Sequence, residues 1–426
     1  MHCNILSLFP EYFHSPLGTG LMDKARESGI VSVDLVNPRD YTLDRHNRVD
    51  GRPYGGGPGM VMAVEPVHRA LKSISSPGRK LLLSAKGRPL DQEKVRELSG
   101  EGILTLICGR YEEIDARLLD IEDIEPVSIG DFVLGGGEAA ALCLIEAVSR
   151  LQPHFMGRQE SAEEESFNSG LLEYPHYTRP REYCGVQVPE ILLSGDHGSV
   201  DQWRRRQSLL TTLRQRPELL QRSRLEPADY TWLRQIPWSR PGRNLYPVLL
   251  HHPVVNKHGE ICTVSLTNLD IHDIARVCRT YGLPRYYLVT PLRDQQDLAA
   301  RLLRHWTENG PGGEVHATRA RAIERVQVLN DLEQAVEQVR RRCGQEPFVA
   351  ATSARDEGSD TPEDMRRLLR ERPVILLLGT GYGLAREVLD RADALLRPLR
   401  PFGEYRHLSV RSAAAITIDR ILGDVW

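Results

Sequence analysis

Apolar positions along the chain fall into short continuous runs, which is typical of strands buried on both faces of a parallel sheet. Stretches with the spacing of amphipathic helices separate these runs. The clearest runs are residues 2–9, 81–83, 104–108, 245–255, 286–291 and 373–379. Because strand-like and helix-like segments alternate twice along the chain, we predict two α/β domains with mostly parallel sheets.

The stretch SIGDFVLGGGEAAALCL (128–144) is central to the first half. An apolar, strand-like run leads into three glycines, and a helix is predicted to begin at Glu138 with three alanines. Consecutive glycines allow positive φ and a close approach of the main chain to a ligand. Taken alone, the stretch fits an ordinary strand–turn–helix corner as well as it fits a ligand loop. LLLSAKG (81–87) and LTLICGRYEEID (104–115) also end in polar loops that contain glycine. Three such strand ends predict a ligand crevice at the sheet edge.

Composition places the chain among globular proteins of two or three domains, with 426 residues, 40% of them hydrophobic and 27% charged. No apolar run is as long as a membrane span, and the amino terminus lacks a signal-peptide pattern. The seven cysteines include no CxxC pair, which favours reduced thiols over disulfides or zinc ligands. We therefore expect a cytoplasmic protein with no membrane partner and no metal-ligating residues.

Charge is uneven along the chain. The net charge is only −3, but residues 199–243 hold ten arginines against four acidic residues, a local balance of +6. Such clusters are usually solvated helix faces. The alternative is that these arginines contact phosphate groups, and this becomes the better interpretation if a nucleic-acid site lies nearby.

Six strings in the first half, taken together and in this order, carry a family resemblance. They are GRPYGGGPGM (51–60), LICGRYEEID (106–115), SIGDFVLGGGE (128–138), SAEEESF (161–167), PHYTRP (175–180) and VPEILLSGDH (188–197). Residues 1–235 thereby resemble the bacterial tRNA (guanine-N1)-methyltransferases, the TrmD family. The resemblance implies a deep trefoil knot that binds S-adenosylmethionine, a homodimer that shares its sites, and methylation of guanosine 37 in tRNA. Whether Mg²⁺ takes part stays open.

The resemblance also implies site residues. Arg150, at the end of the predicted helix 138–151, would bind and polarise the guanine, although a helix-terminal arginine commonly bonds the last carbonyls instead. Glu113 departs from the family, which usually has glycine there. The expected cofactor pocket comprises Leu82, Leu83, Ser84, Gly109, Tyr111, Glu112, Ser128, Ile129, Gly130, Asp131, Phe132, Val133, Leu134, Gly136 and Gly137.

The acidic segment 156–170 is predicted to be a mobile linker between a domain over 1–155 and a helical tRNA-binding subdomain over 171–235. The family pattern has an aspartate before Ser-Phe, where this chain has Glu165. Glu165 is therefore the predicted catalytic base. Glu163 and Glu164 stand beside it and leave the register open.

The second half, 245–426, repeats the design of the first. VILLLGTGYGLA (374–385) runs from a strand into glycines, and HLSVRSAAAITIDRIL (407–422) is predicted as a strand end followed by an alanine-rich helix. The glycines of GTGYG alternate, which does not fit the G-x-G-x-x-G dinucleotide pattern. Together with TNLDIHDIAR (267–276), these strings resemble SPOUT-class RNA methyltransferases, one small family of which occurs alone or fused behind TrmD.

We therefore expect two knotted SPOUT domains with a small helical subdomain after the first. A nonenzymatic protein that binds RNA and senses adenosylmethionine is the alternative. It stays open for the second half, which could serve in dimerisation or tRNA binding. The expected cofactor contacts of the second half are Leu378, Gly379, Gly381, Leu408, Val410 and Ala413.

Overall fold

The computed structural model describes residues 1–156, 165–236, 241–307, 317–400 and 402–423. The chain divides into two compact units, Met1–Leu219 and Leu220–Trp426. Each unit contains a parallel sheet with helices, so the predicted α/β class is confirmed. The neighbours Glu163 and Glu164, and most of the predicted linker, lie outside the described residues.

The strands of the first unit are β1 (His2–Leu6), β2 (Ser32–Val36), β3 (Asp50–Gly51), β4 (Val61–Met62), β5 (Arg79–Pro89), β6 (Ile103–Cys108), β7 (Glu125–Ser128), β8 (Glu182–Tyr183) and β9 (Val186–Gln187). Its main sheet has the order β2-β1-β6-β5-β7, and every neighbouring pair is parallel. Because β6, β5 and β7 are adjacent, the loops that follow β6 and β7 emerge beside β5 at one edge. The predicted loop at 84–87 is wrong, because β5 continues to Pro89 and its pairing with β7 is only irregular between Leu83 and Arg88.

The helices of the first unit are α1 (His14–Leu17), α2 (Gly20–Glu27), α3 (Val64–Lys72), α4 (Gln92–Ser99), α5 (Arg117–Ile121), α6 (Glu138–Ser149) and α7 (His197–Gln215), with 3-10 turns at Pro10–Phe13, Pro38–Tyr41 and Glu190–Leu193. Helix α8 (Glu218–Arg222) contains the boundary between the units, and α9 (Pro227–Leu233) is the first helix wholly in the second unit. The sequence offers Asp196 or Ser199 as the cap of α7, and the structure has Asp196, whose side chain accepts a hydrogen bond from the Ser199 main chain (3.2 Å). Two hydrophobic cores lie on opposite faces of the sheet, with Leu83 in one and Leu82 in the other.

The strands of the second unit are β10 (Leu245–Leu250), β11 (Val254–Val255), β12 (Ile261–Cys262), β13 (Tyr286–Val289), β14 (Val326–Leu329), β15 (Phe348–Thr352), β16 (Val374–Gly379) and β17 (Ala394–Leu396). Its main sheet has the order β14-β13-β10-β16-β15-β17 and is also parallel. Its helices are α10 (Asn268–Thr280), α11 (Arg293–Thr307), α12 (Ala317–Ile323), α13 (Leu332–Cys343), α14 (Pro362–Leu368), α15 (Arg386–Leu389) and α16 (Val410–Leu422), after a 3-10 turn at Pro241–Asn244.

Two strand predictions are wrong. The run 128–134 is not a strand, because β7 ends at Ser128, whose hydroxyl bonds the main chain of Gly130 and turns the backbone out of the ladder. Residues 407–409 do not form a strand either. Ser409 instead caps α16, its side chain accepting a hydrogen bond from the Ser412 main chain (3.3 Å). In both units a loop therefore leads directly into the alanine-rich helix.

Candidate functional site

Glycines bring the main chains of β5 and of the loops after β6 and β7 close together. The N–H of Gly137 donates to the carbonyl of Gly109 (2.9 Å). A Cβ atom on Gly137 would lie 2.8 Å from the Cα of Cys108, and one on Gly109 would lie 4.0 Å from the carbonyl oxygen of Leu83. We call the edge formed by residues 82–84 of β5 and by the loops 109–112 and 128–137 the crevice.

The loop after β7 holds apolar side chains out of the core. Ser128 Oγ donates to the Gly130 carbonyl (3.0 Å) and accepts from its N–H (3.2 Å). Phe132, Val133 and Leu134 are 54%, 88% and 41% exposed. Three consecutive exposed apolar side chains beside a glycine-lined crevice are typical of a surface that a ligand or partner covers.

The loop after β6 is fixed by the segment before α3. The N–H of Glu112 donates to the Met60 carbonyl (3.0 Å), and the N–H of Met62 donates to the Glu113 carbonyl (2.9 Å). Tyr111, directly before Glu112, adopts a positive φ of 61° and is half exposed. Such a conformation is uncommon for a residue other than glycine and is often found at functional sites. The segment that follows the glycine-rich stretch 51–60 thus borders the crevice.

The predicted cofactor residues converge on this crevice, but they contribute in different ways. Leu82 and Leu83 are buried in the two cores, so only their main chains are available to a ligand. Ser84 is half-buried, and Tyr111 and Glu112 are exposed. Bare main-chain hydrogen-bonding groups beside apolar side chains suit a flat, polar heterocyclic base, and the adenine of S-adenosylmethionine is such a base. The residues present therefore fit this cofactor.

A buried ion pair beside the crevice is not predicted from the sequence. Glu138, only 1% exposed, lies with Oε2 2.9 Å from Arg110 Nε, and its Oε1 accepts from the Ser7 hydroxyl (2.7 Å). Arg110 also donates from Nη1 to the Gly135 carbonyl (3.1 Å) and lies 4.5 Å from the centre of the Phe9 ring. The pair thus joins the loops after β6 and β7 to the residues after β1. An arginine directly after Gly109 in a strand-end loop is the only sequence signal for it.

The two predicted catalytic residues are in contact. Arg150 directly follows α6, and its Nη2 donates to Oε1 of Glu165. Both side chains are about one-third exposed, at 38% and 35%. A partly exposed ion pair contributes little stability and can separate when a substrate enters. The chain therefore brings together a carboxylate and a guanidinium that can face one planar base.

Residues that follow Glu165 are anchored to two helices. Arg96 of α4 donates to the side chain of Asn168, and the Leu172 N–H donates to Oγ1 of the buried Thr212 in α7 (2.8 Å). Ser166 Oγ accepts from the Glu173 N–H (3.0 Å). These contacts fix the position of the chain directly after Glu165.

Glu113, which replaces the usual glycine of the resembled family, does not point to open solvent. Its Oε2 lies 2.6 Å from Nζ of Lys86 in β5, and its side chain is 21% exposed. The substitution therefore adds an ion pair between β5 and the loop after β6.

Within the described ranges, no three or more His, Cys, Asp and Glu side chains are grouped so that they could hold a metal ion. All seven cysteines are free. No helix in the described part of the chain is both long and apolar enough to cross a membrane.

The second unit has a cleft of about 960 Å³ at the carboxyl end of β16, and all six predicted cofactor residues line it. Gly381 lies in its wall at a φ of +62°. A Cβ there would be 3.1 Å from the Val255 carbonyl and 3.2 Å from Val264 Cγ2. Hydrogen bonds join Val255 to Tyr382 and Gly383 (both 3.0 Å). A larger residue at 381 would therefore disturb the loop itself before it reached any ligand.

Charged side chains around this cleft are mostly basic. Arg406 pairs with Asp356, and Arg411 lies 3.6 Å from Asp270. The arginines that line the cleft are Arg355, Arg397, Arg400, Arg406, Arg411 and Arg420. Six arginines outnumber the lining carboxylates Asp270, Asp356 and Glu404, which favours an anionic substrate.

Comparisons with known proteins find a methyltransferase family for each half of the chain. Residues 1–222 match the family model described as tRNA (Guanine-1)-methyltransferase TrmD, and residues 244–423 match that of the SAM-dependent RNA methyltransferases. The chain is 58% identical over 426 residues to a tRNA (guanine-N(1)-)-methyltransferase of Nitratidesulfovibrio vulgaris, with full coverage of both chains. It is 57% identical over 424 residues to one of Oleidesulfovibrio alaskensis, again with full coverage. A relative from Carboxydothermus hydrogenoformans with the same name is 51% identical over 221 residues, 52% of this chain and 87% of its own length.

Proposed function

The chain belongs to the TrmD family of tRNA (guanine-N1)-methyltransferases, and from that premise we propose that its first unit methylates N1 of guanosine 37 in tRNA. S-adenosylmethionine binds in the crevice formed by β5 and the loops after β6 and β7, in a knotted arrangement of the chain. The observation that carries the proposal is the contact between Arg150 and Glu165, at the end of the helix that begins at that crevice. It places a proton acceptor and a cation next to each other, which is what transfer to guanine N1 requires.

Bound S-adenosylmethionine supplies an electrophilic methyl group. Glu165 accepts the N1 proton of the guanine, while Arg150 donates a hydrogen bond to O6, where negative charge develops. S-adenosylmethionine held by the crevice residues would give its methyl group to N1 and leave as S-adenosylhomocysteine. Holding the guanine and the methyl donor in place would supply most of the remaining acceleration. The exposed side chains of Phe132, Val133 and Leu134 help exclude water from the crevice.

The first unit acts as a homodimer. Helix α6 supports this proposal, because Ala139, Leu142 and Ala147 are only half-buried and Cys143 is exposed in the single chain. An apolar helix face of this kind suits packing against a second copy. Sedimentation of the full chain at assay concentration tests the proposal, and an active monomer would exclude it.

The seven free thiols support a cytoplasmic location.

The second unit binds a second S-adenosylmethionine in its own cleft and methylates an RNA. Two observations support an enzyme here. All six predicted cofactor residues line one cleft, and the arginines that line it outnumber the carboxylates. The alternative is an appendage for dimerisation or tRNA binding, which would not need a cofactor cleft.

Replacing Ala413 with phenylalanine is expected to fill the second cleft and to lower the number of S-adenosylmethionine molecules bound per chain from two to one. Ala413 is half-buried and lines the cleft within α16, so this change avoids the positive φ of Gly381. Calorimetric titration measures the stoichiometry. Mapping of the tRNA product provides an internal control, because N1-methylguanosine at position 37 should form as before. A parent chain that binds one equivalent, or a variant that still binds two, would contradict a second cofactor site. Methylation of another guanosine would contradict the assignment of the first unit.

A further inference from the structure

Six arginines form a surface on the second unit that is separate from its cleft. Two neighbouring depressions of about 340 and 490 Å³ share Arg279. Arg276 and Arg319 line the first, and the second is lined by Arg243, Arg325 and Arg342. We call these six residues the arginine groove.

The groove lies at the opposite edge of the sheet from the cleft. Arg243 comes two residues before β10, and Arg325 directly precedes β14. The cleft is lined instead by Leu378–Leu384, at the carboxyl end of β16. Because the strands are parallel, their amino and carboxyl ends lie at opposite edges of the sheet. A molecule bound in the groove therefore does not occupy the cofactor cleft.

Acidic partners are missing from this surface in the part of the chain that the structure describes. There, no carboxylate forms an ion pair with any of the six arginines, whereas the neighbouring Arg341 pairs with Glu337 (2.5 Å). The pKa of Arg325 is lowered by its burial and by the positive charges of Arg279, Arg285 and Arg342, against an opposing effect of Glu324. Like charges held together without ion-paired carboxylates favour the binding of an anion.

Several groove side chains are held by neutral contacts that leave their charge available. Arg325 donates to the carbonyl of Pro284 (3.3 Å), and Arg319 lies 4.9 Å from the centre of the Trp306 ring. The negative end of a helix dipole can favour Arg279 near the end of α10 and Arg342 near the end of α13. That effect explains each residue alone, but it does not explain why both converge with Arg243 and Arg325 on one depression.

We propose that the arginine groove binds the phosphate backbone of tRNA, at a surface distinct from both methyl-transfer sites. Two depressions joined through Arg279 suit a row of phosphates better than a single small anion. Bidentate guanidinium groups match phosphate oxygens in charge and geometry. The groove thus adds affinity for the tRNA without touching the base that is methylated.

The full-length double variant Arg279→Gln/Arg342→Gln tests the groove, because both side chains are exposed and their replacement leaves the core intact. We expect its affinity for an unmodified tRNA transcript to fall about tenfold near physiological salt. The slope of log affinity against log salt should also become shallower by about 1.5, since each lost phosphate contact removes about 0.7 to 0.9. Filter binding at several salt concentrations measures both. In guanine-N1 methylation the effect should appear in KM for tRNA and not in kcat.

The matched control is Arg341→Gln/Arg386→Gln, which removes the same charge from exposed arginines that already have acidic partners, Glu337 and Glu357. This control should keep the parent affinity and salt slope. Equal weakening in the two double variants would show that only net charge matters and would overturn the proposal. So would parent-like tRNA binding by Arg279→Gln/Arg342→Gln.

Discussion

Replacing Glu165 with glutamine is expected to slow single-turnover methylation of tRNA by about 100-fold or more, while S-adenosylmethionine still binds. Glutamine keeps the size of the side chain and can still accept a hydrogen bond from Arg150. It cannot take the N1 proton as a carboxylate does. Rapid mixing of the enzyme–cofactor complex with tRNA measures the chemical step, and calorimetry measures cofactor binding.

Three kinds of substitution serve as controls for Glu165. Glu165→Asp should keep substantial activity, because the carboxylate remains and aspartate is the usual family residue. Glu163→Gln and Glu164→Gln should lower the methylation rate only slightly if Glu165 is the base. Glu173→Gln removes a nearby carboxylate that pairs with His176 instead of Arg150 (2.7 Å), and it should also lower the rate only slightly. A normal methylation rate in Glu165→Gln would exclude this residue as the base.

Arg110→Met is expected to destabilise the first unit by about 3 kcal/mol, because it leaves the Glu138 carboxylate buried with only the Ser7 hydroxyl as a partner. For a unit of this size the melting temperature should fall by about 6 to 12 °C. The hydrogen bond to the Gly135 carbonyl is lost as well, so the loop after β7 should bind S-adenosylmethionine more weakly. Calorimetric melting and cofactor titration measure the two effects.

The double variant Arg110→Met/Glu138→Gln distinguishes charge from packing, since it removes both charges and should recover part of the lost stability. Arg117→Met is the surface control. Arg117 is 64% exposed and pairs with Asp115 in the same loop (2.6 Å), so its loss should change stability by less than about 1 kcal/mol. If Arg110→Met melts like Arg117→Met, the buried pair does not stabilise the crevice.

The sequence is sufficient to predict features that depend on local chemistry or on periodicity. Apolar runs predict the parallel strands, and the position of Asp196 predicts the start of α7. The strand prediction over 128–134 fails because apolar side chains in that run serve the crevice instead of the core. Phe132 and Val133 are exposed there, and periodicity cannot distinguish burial in a sheet from exposure in a ligand loop.

Contacts between distant residues need the folded chain. Ser7 and Glu138 are 131 residues apart in sequence, and no local pattern indicates their hydrogen bond. The arginine groove likewise joins Arg243 to Arg342, which lie on a turn and at the end of a helix. Glu165 and Arg150 could be proposed only from a family pattern. Their contact joins residues that are 15 positions apart in sequence, and composition alone does not predict it.

Helix α6 sets a limit on redesign of the enzyme. It is a single rod of about 18 Å, with Glu138 fixed in the crevice at its first residue and Arg150 beside the proposed base just after its last. A shift at one end is therefore passed along the axis to the other. Enlarging the crevice to accept a bulkier cofactor analogue by moving Glu138 would also displace the guanidinium of Arg150, which we propose binds the guanine. Room for such an analogue is better made in the loop 129–134, whose side chains can change without moving the rod.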